Sequence, residues 1–124
     1  MSSRILIVED ESIVAADLEA KLRKLGYQVV GTAPSGDEAL SLADEHRPHI
    51  VLMDIELQGP MSGIDAGRII QQRTGAAIIF VTAYAAVFLR DPTKMQPPGL
   101  CLSKPFSSVQ LKAVLQSIEK SVHS

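Results

Sequence analysis

Residues 4–10 read Arg4-Ile5-Leu6-Ile7-Val8-Glu9-Asp10, four apolar side chains closed abruptly by two carboxylates. A run this short, apolar at every position and rich in β-branched residues, predicts a strand covered on both faces. The pattern repeats along the chain. Ile50-Val51-Leu52-Met53 ends in Asp54, Ile78-Ile79-Phe80-Val81 ends in Thr82, and a shorter run ends at Lys104. Stretches with helical spacing separate these runs. That alternation predicts an α/β fold, a doubly wound parallel sheet with crossover helices on both faces.

Strands are expected over 4–9, 28–33, 49–54, 77–82 and 100–103, and helices over 11–25, 36–46, 64–73 and 107–121. In the first helix Val14, Leu18, Leu22 and Leu25 form one stripe, and Gly26 supplies the stop. In the last, Leu111, Val114, Leu115, Ile118 and Val122 form the stripe. Ser107 and Gln110 have the spacing of a capping box ahead of it, repeated by Ser35 and Glu38. Asp37 and Asp65 fall in first turns, where the helix dipole favours an anion. A fourth helix, between the last two strands, is expected to be short or irregular. Pro92 interrupts its pattern, and Pro97, Pro98 and Gly99 end it.

With 124 residues the chain fits one domain over 1–124, burying roughly two-thirds of the surface of its unfolded form. Twelve basic and fourteen acidic residues are scattered, for a net charge of −2, and no basic stripe invites nucleic acid. No apolar run approaches the roughly 20 residues of a membrane span. The N-terminus lacks the pattern of a signal peptide, and a single cysteine, Cys101, cannot form an intrachain disulfide. A cytoplasmic location is the expectation, with packing as the role of Cys101. His46 and His49 straddle Pro48, which prevents the helical turn that would align two metal ligands, so both read as surface residues.

In a parallel α/β sheet, ligands bind outside the carboxyl ends of the strands. Glu9, Asp10, Asp54, Thr82 and Lys104 all stand at such ends and should gather at one rim. Carboxylates this crowded repel unless a cation joins them. Mg²⁺ (or Mn²⁺) suits the set, because a hard ion takes a few oxygen ligands and prefers sites that include phosphate. Asp10 and Asp54 would bind it directly, the backbone carbonyl of Glu56 would contribute, and Glu9 would act through water. Asp54 could then attack phosphorus as a carboxylate nucleophile, with Thr82 and Lys104 each stabilising one phosphoryl oxygen. Alone, each residue reads as a solvated charge, a helix cap or a strand-end hydroxyl; five in order do not.

On these residues the chain resembles, from end to end, the receiver domain of response regulators in two-component signalling. The matching features are Glu9 and Asp10 after the first strand, Asp54 after the third, Thr82 with Ala83 after the fourth, and Lys104-Pro105-Phe106 after the fifth. The resemblance implies a flavodoxin-like five-stranded sheet in the order 2-1-3-4-5 and a cis peptide at Pro105. It implies a phosphoacceptor that takes its phosphoryl group from a phosphohistidine on a histidine kinase or histidine phosphotransfer protein, and often from small phosphodonors. Such a domain catalyses its own phosphoryl transfer and slow dephosphorylation, switches partner binding, and is a signalling module rather than an enzyme. An output or kinase domain covalently linked outside these residues is compatible with it. Glu56, two residues past Asp54, is placed to influence the attacking water and hence the lifetime of the phosphoryl group.

Three features depart from the commonest pattern. Cys101 occupies the position three residues before the lysine where many members carry a switching Tyr or Phe, and Tyr84, two residues beyond Thr82, reads equally as taking part of that role or as structural packing. The stretch from Pro92 to Pro98 replaces a regular fourth helix, so the usual dimer face is not assumed. The loop from Asp54 to Gly63 is one residue longer than in many members, with Ser62 and Gly63 suited to open a helix. Rival readings fit less well. A flavin or nucleotide protein needs a Gly-rich or hydroxyl-rich phosphate loop, but Glu9-Asp10-Glu11-Ser12 would repel an anion. A haloacid-dehalogenase-type phosphatase needs a second aspartate where Glu56 stands, and a receiver that signals without phosphorylation has no need of the full set.

Overall fold

Five strands, β1 (Arg4–Val8), β2 (Gln28–Ala33), β3 (Ile50–Asp54), β4 (Ala77–Thr82) and β5 (Leu100–Ser103), pair in parallel in the order β2-β1-β3-β4-β5. The computed structural model describes residues 3–83 and 100–123. Among them, helices α1 (Ser12–Lys24), α2 (Gly36–His46), α3 (Gly63–Thr74) and a C-terminal helix (Ser108–His123) connect or follow the strands. The expected fourth helix, with Pro92, Pro97, Pro98 and Gly99, and Tyr84 lie outside the described residues, as does the side chain of Val122. The architecture is the expected flavodoxin-like one.

Strand alternation builds the core in two layers. Leu6, Val8, Val51, Met53, Ile78 and Phe80 face one way and pack with Ala39 and Ala43 of α2 and with Ile64, Ala66 and Ile70 of α3. Ile5, Ile7, Ile50, Leu52, Ile79 and Leu102 face the other way and meet Ala15, Leu18 and Leu22 of α1 and Leu111, Leu115 and Ile118 of the C-terminal helix. This is why β1, β3 and β4 are apolar at nearly every position. Within the α1 stripe Leu18 and Leu22 are buried, whereas Val14 and Leu25 pack only partly.

Local chemistry fixes the helix ends. Ser35 Oγ accepts from the Glu38 amide and Ser62 Oγ from the Asp65 amide. Ser107 and Gln110 form a reciprocal box, each side chain accepting from the other's amide at 3.2 and 2.8 Å. At the far end of α2, the Arg4 guanidinium donates to the carbonyls of His46 and Arg47, which have no partner within the helix. Gly63 is demanded by proximity, since a Cβ there would stand 2.0 Å from the Asp54 carbonyl oxygen. At the rim opposite the strand carboxyl ends, Glu119 of the C-terminal helix accepts from Ser3 Oγ (2.9 Å) and Tyr27 OH (2.7 Å).

Candidate functional site

Because the strands are parallel and in register, their carboxyl ends share one rim. Val8 pairs with Met53, Asp54 with Val81, and Thr82 with Ser103. The residues just past or at these positions are Glu9, Asp10, Asp54, Thr82 and Lys104. Each apolar run is held by the core, and the first one or two polar residues after it emerge at the same edge.

Carboxylate oxygens of Glu9, Asp10 and Asp54 lie within 4.8 Å of one another. Glu9 and Asp54 are buried, each 3% exposed, while Asp10 is half-buried. The Lys104 ammonium reaches in from β5, 3.1 Å from Glu9 Oε2 and 3.5 Å from Asp54 Oδ2. Burial works against that ammonium, but the Glu9 hydrogen bond and the charges of Asp54 and Glu9 outweigh it and raise its pKa. Asp54 is pushed up to about 7, by burial first and the Glu9 charge second. Lys104 and the Glu56 amide oppose this, and the Glu56 side chain adds to it. The Glu56 amide donates to Asp54 Oδ1 at 3.0 Å. The peptide between Lys104 and Pro105 is cis.

The donor set fits a hard divalent cation. Three carboxylates converge, nearly within the span of one ion's coordination shell, and among the described residues a single ammonium beside them leaves the cluster short of positive charge. A carboxyl driven up to about 7 by crowding and burial is what a dication would return to the ionised state.

All five strand-end residues therefore come together. One contact was missed in the sequence: Thr82 Oγ1 donates to the Glu56 carboxylate, whereas Glu56 was expected to act through its carbonyl and on water. Only the spacing of two from Asp54 hinted at it. Cys101 is half-buried on β5 opposite Phe80, and burial first, then the Glu56 charge, pushes its thiol up. His49 is exposed and accepts the Arg4 amide on Nδ1 at 2.9 Å, and His46 is half-buried; neither lies in the acidic cluster.

Comparison with known proteins agrees with this geometry. The family model for the response regulator receiver domain matches residues 5–116. The phyllosphere-induced regulator PhyR of Methylorubrum extorquens is 39% identical over 116 residues, 93% of this chain and 43% of its own length. The crystal structure of the anti-anti-sigma factor PhyR from Bartonella quintana is 32% identical with a TM-score of 0.90, over 99% of this chain and 49% of that one. The receiver domain of the sensor histidine kinase PA1611 from Pseudomonas aeruginosa, with a magnesium ion coordinated in its active-site cleft, is 32% identical with a TM-score of 0.80, over 94% of this chain and 97% of that one. The chain thus spans less than half the length of these two PhyR proteins. In sequence and in fold alike, it belongs to the response regulator receiver domain family.

Proposed function

We propose that this chain is a phosphoacceptor that takes a phosphoryl group onto Asp54 in a reaction dependent on Mg²⁺ or Mn²⁺. The observation that carries the reading is the buried Asp54 carboxylate, gathered with those of Glu9 and Asp10 and sharing the Lys104 ammonium with Glu9. Glu9, Asp10, Asp54 and the Glu56 carbonyl would hold the ion, which supplies charge neutralisation for the approaching phosphoryl group. An Asp54 oxygen attacks phosphorus, the phosphorus–nitrogen bond to a donor histidine breaks, and the electron pair leaves with the imidazole, which takes up a proton. Lys104 offers its ammonium, and Thr82 its hydroxyl, to the equatorial oxygens.

The donor on this reading is a histidine kinase or a histidine phosphotransfer protein, with the magnesium-bearing receiver of a kinase among the neighbours in support. Modification switches partner binding, and Tyr84 takes part of the aromatic role for which Cys101 is unsuited. The output is proposed to lie in a linked domain or a separate partner, since the PhyR relatives are longer chains. The chain is read as a single domain acting on itself, not as an enzyme turning over an external substrate. Among the described residues no helix is long and apolar enough to cross a membrane, which accords with a place in the cytoplasm.

The test is incubation with Mg²⁺ and acetyl phosphate, followed by intact-mass measurement. A gain of one phosphoryl group is expected, and chelation or Asp54→Asn should each abolish it. A gain that survives Asp54→Asn would move the acceptor elsewhere and defeat the reading.

A further inference from the structure

Glu56 grips the site at both of its ends. Its amide donates to Asp54 Oδ1, and its carboxylate Oε1 accepts the hydrogen of Thr82 Oγ1. Thr82 is fully buried at the end of β4, whereas Glu56 is exposed. The carboxylate therefore reaches inward from solvent to a buried hydroxyl that the phosphoacceptor reading assigns to the phosphoryl group. An electrostatic trace agrees: behind the larger effect of burial, the Glu56 charge pushes up the Cys101 thiol on β5. Carboxylate and phosphoryl oxygens are alike as anionic acceptors of a hydroxyl hydrogen.

We propose that Glu56 is a placeholder, holding the Thr82 hydroxyl in the resting protein and yielding it when a phosphoryl group forms on Asp54. The inference deepens the phosphoacceptor reading and rests on it. In the exchange the hydrogen bond from Thr82 Oγ1 to Glu56 Oε1 opens, and the same hydrogen is donated to a phosphoryl oxygen, so no proton changes owner. The released carboxylate returns to water at little cost because its residue is already exposed. The phosphoryl group must win the hydroxyl from an anion, and Glu56 thereby slows its arrival. Glu56 is a positioning residue, acting through Thr82.

Uptake from acetyl phosphate in excess Mg²⁺, followed by intact mass, tests this with Glu56→Ala, Glu56→Gln, Thr82→Ala and the Glu56→Ala/Thr82→Ala pair. Glu56→Ala is expected to speed uptake about tenfold, the scale of one hydrogen bond to a charged group. Glu56→Gln, which keeps a neutral acceptor, should give less. With Thr82→Ala already present, Glu56→Ala should add nothing. Equal acceleration with and without Thr82 would indicate plain charge repulsion and overturn the placeholder role, as would no acceleration at all. In the resting protein the Thr82 hydroxyl proton should appear by NMR as a slowly exchanging resonance that Glu56→Ala removes. Its survival in that variant overturns the proposal without any phosphodonor. A wild-type protein that gains no mass would instead defeat the phosphoacceptor reading, and this inference with it.

Discussion

Lys104 sets the charge balance of the rim, since its ammonium touches both Glu9 and Asp54. Replacing it by Met leaves two buried carboxylates facing each other. Breaking a buried pair from one side costs about 3–5 kcal/mol, and the 24% exposure of the lysine side chain places the expected loss at or below the low end. Metal-free urea unfolding of Lys104→Met should show that loss, and Mg²⁺ should recover more stability in the variant than in the wild type. Unchanged stability would mean that the ammonium contributes nothing to the resting fold. At this scale much of the site was legible in advance. Glu9, Asp10, Asp54, Thr82 and Lys104 each follow an apolar run, and the run fixes where the next side chain emerges. The Glu56–Thr82 contact was not legible, because it depends on how an irregular loop turns after β3.

Where elements meet, the start of α3 rests against the end of β3 with no space for a side chain. A Cβ on Gly63 would meet the Asp54 carbonyl oxygen and the Ile55 Cα, both backbone, whereas one on Gly67 would meet the Phe80 ring at 2.7 Å. Gly67→Ala should cost about 1–3 kcal/mol, the usual range for overpacking, and Gly63→Ala more, since a main chain yields less readily than a ring. Chemical denaturation of both variants checks the order. The C-terminal helix makes a different prediction through Tyr27, whose hydroxyl is pushed up to about 12 by burial, with the Glu119 hydrogen bond and charge adding to it. A pKa raised in the folded state gives stability that is whole below the unfolded value near 10 and is lost as pH rises toward 12. Wild type should therefore lose stability over that interval by more than Tyr27→Phe does, read as the difference between their melting curves. The helices and their Ser caps were legible from spacing. The Ser3–Glu119–Tyr27 fastening was not, for it joins residues as far as 116 positions apart.

For the molecule as a whole, two apolar layers hold a sheet whose polar strand ends collect at one rim. Anything bound there by the folded state alone stabilises the entire domain. Mg²⁺ at a hundredfold excess over its dissociation constant should add about 2.7 kcal/mol, reversed by chelator and weakened by Asp10→Asn. Thermal melts across a Mg²⁺ titration measure this, and a flat profile would remove the cation from the site. Strand order in space needed the resemblance as well as the pattern, because alternation predicts a parallel sheet without saying which strand neighbours which. Cys101 opens a practical route. It is the sole sulfhydryl in the chain, seated on β5 within reach of the Glu56 field. A trifluoromethyl tag on that sulfur would give a single fluorine signal, a built-in gauge of how the rim is occupied in a living titration.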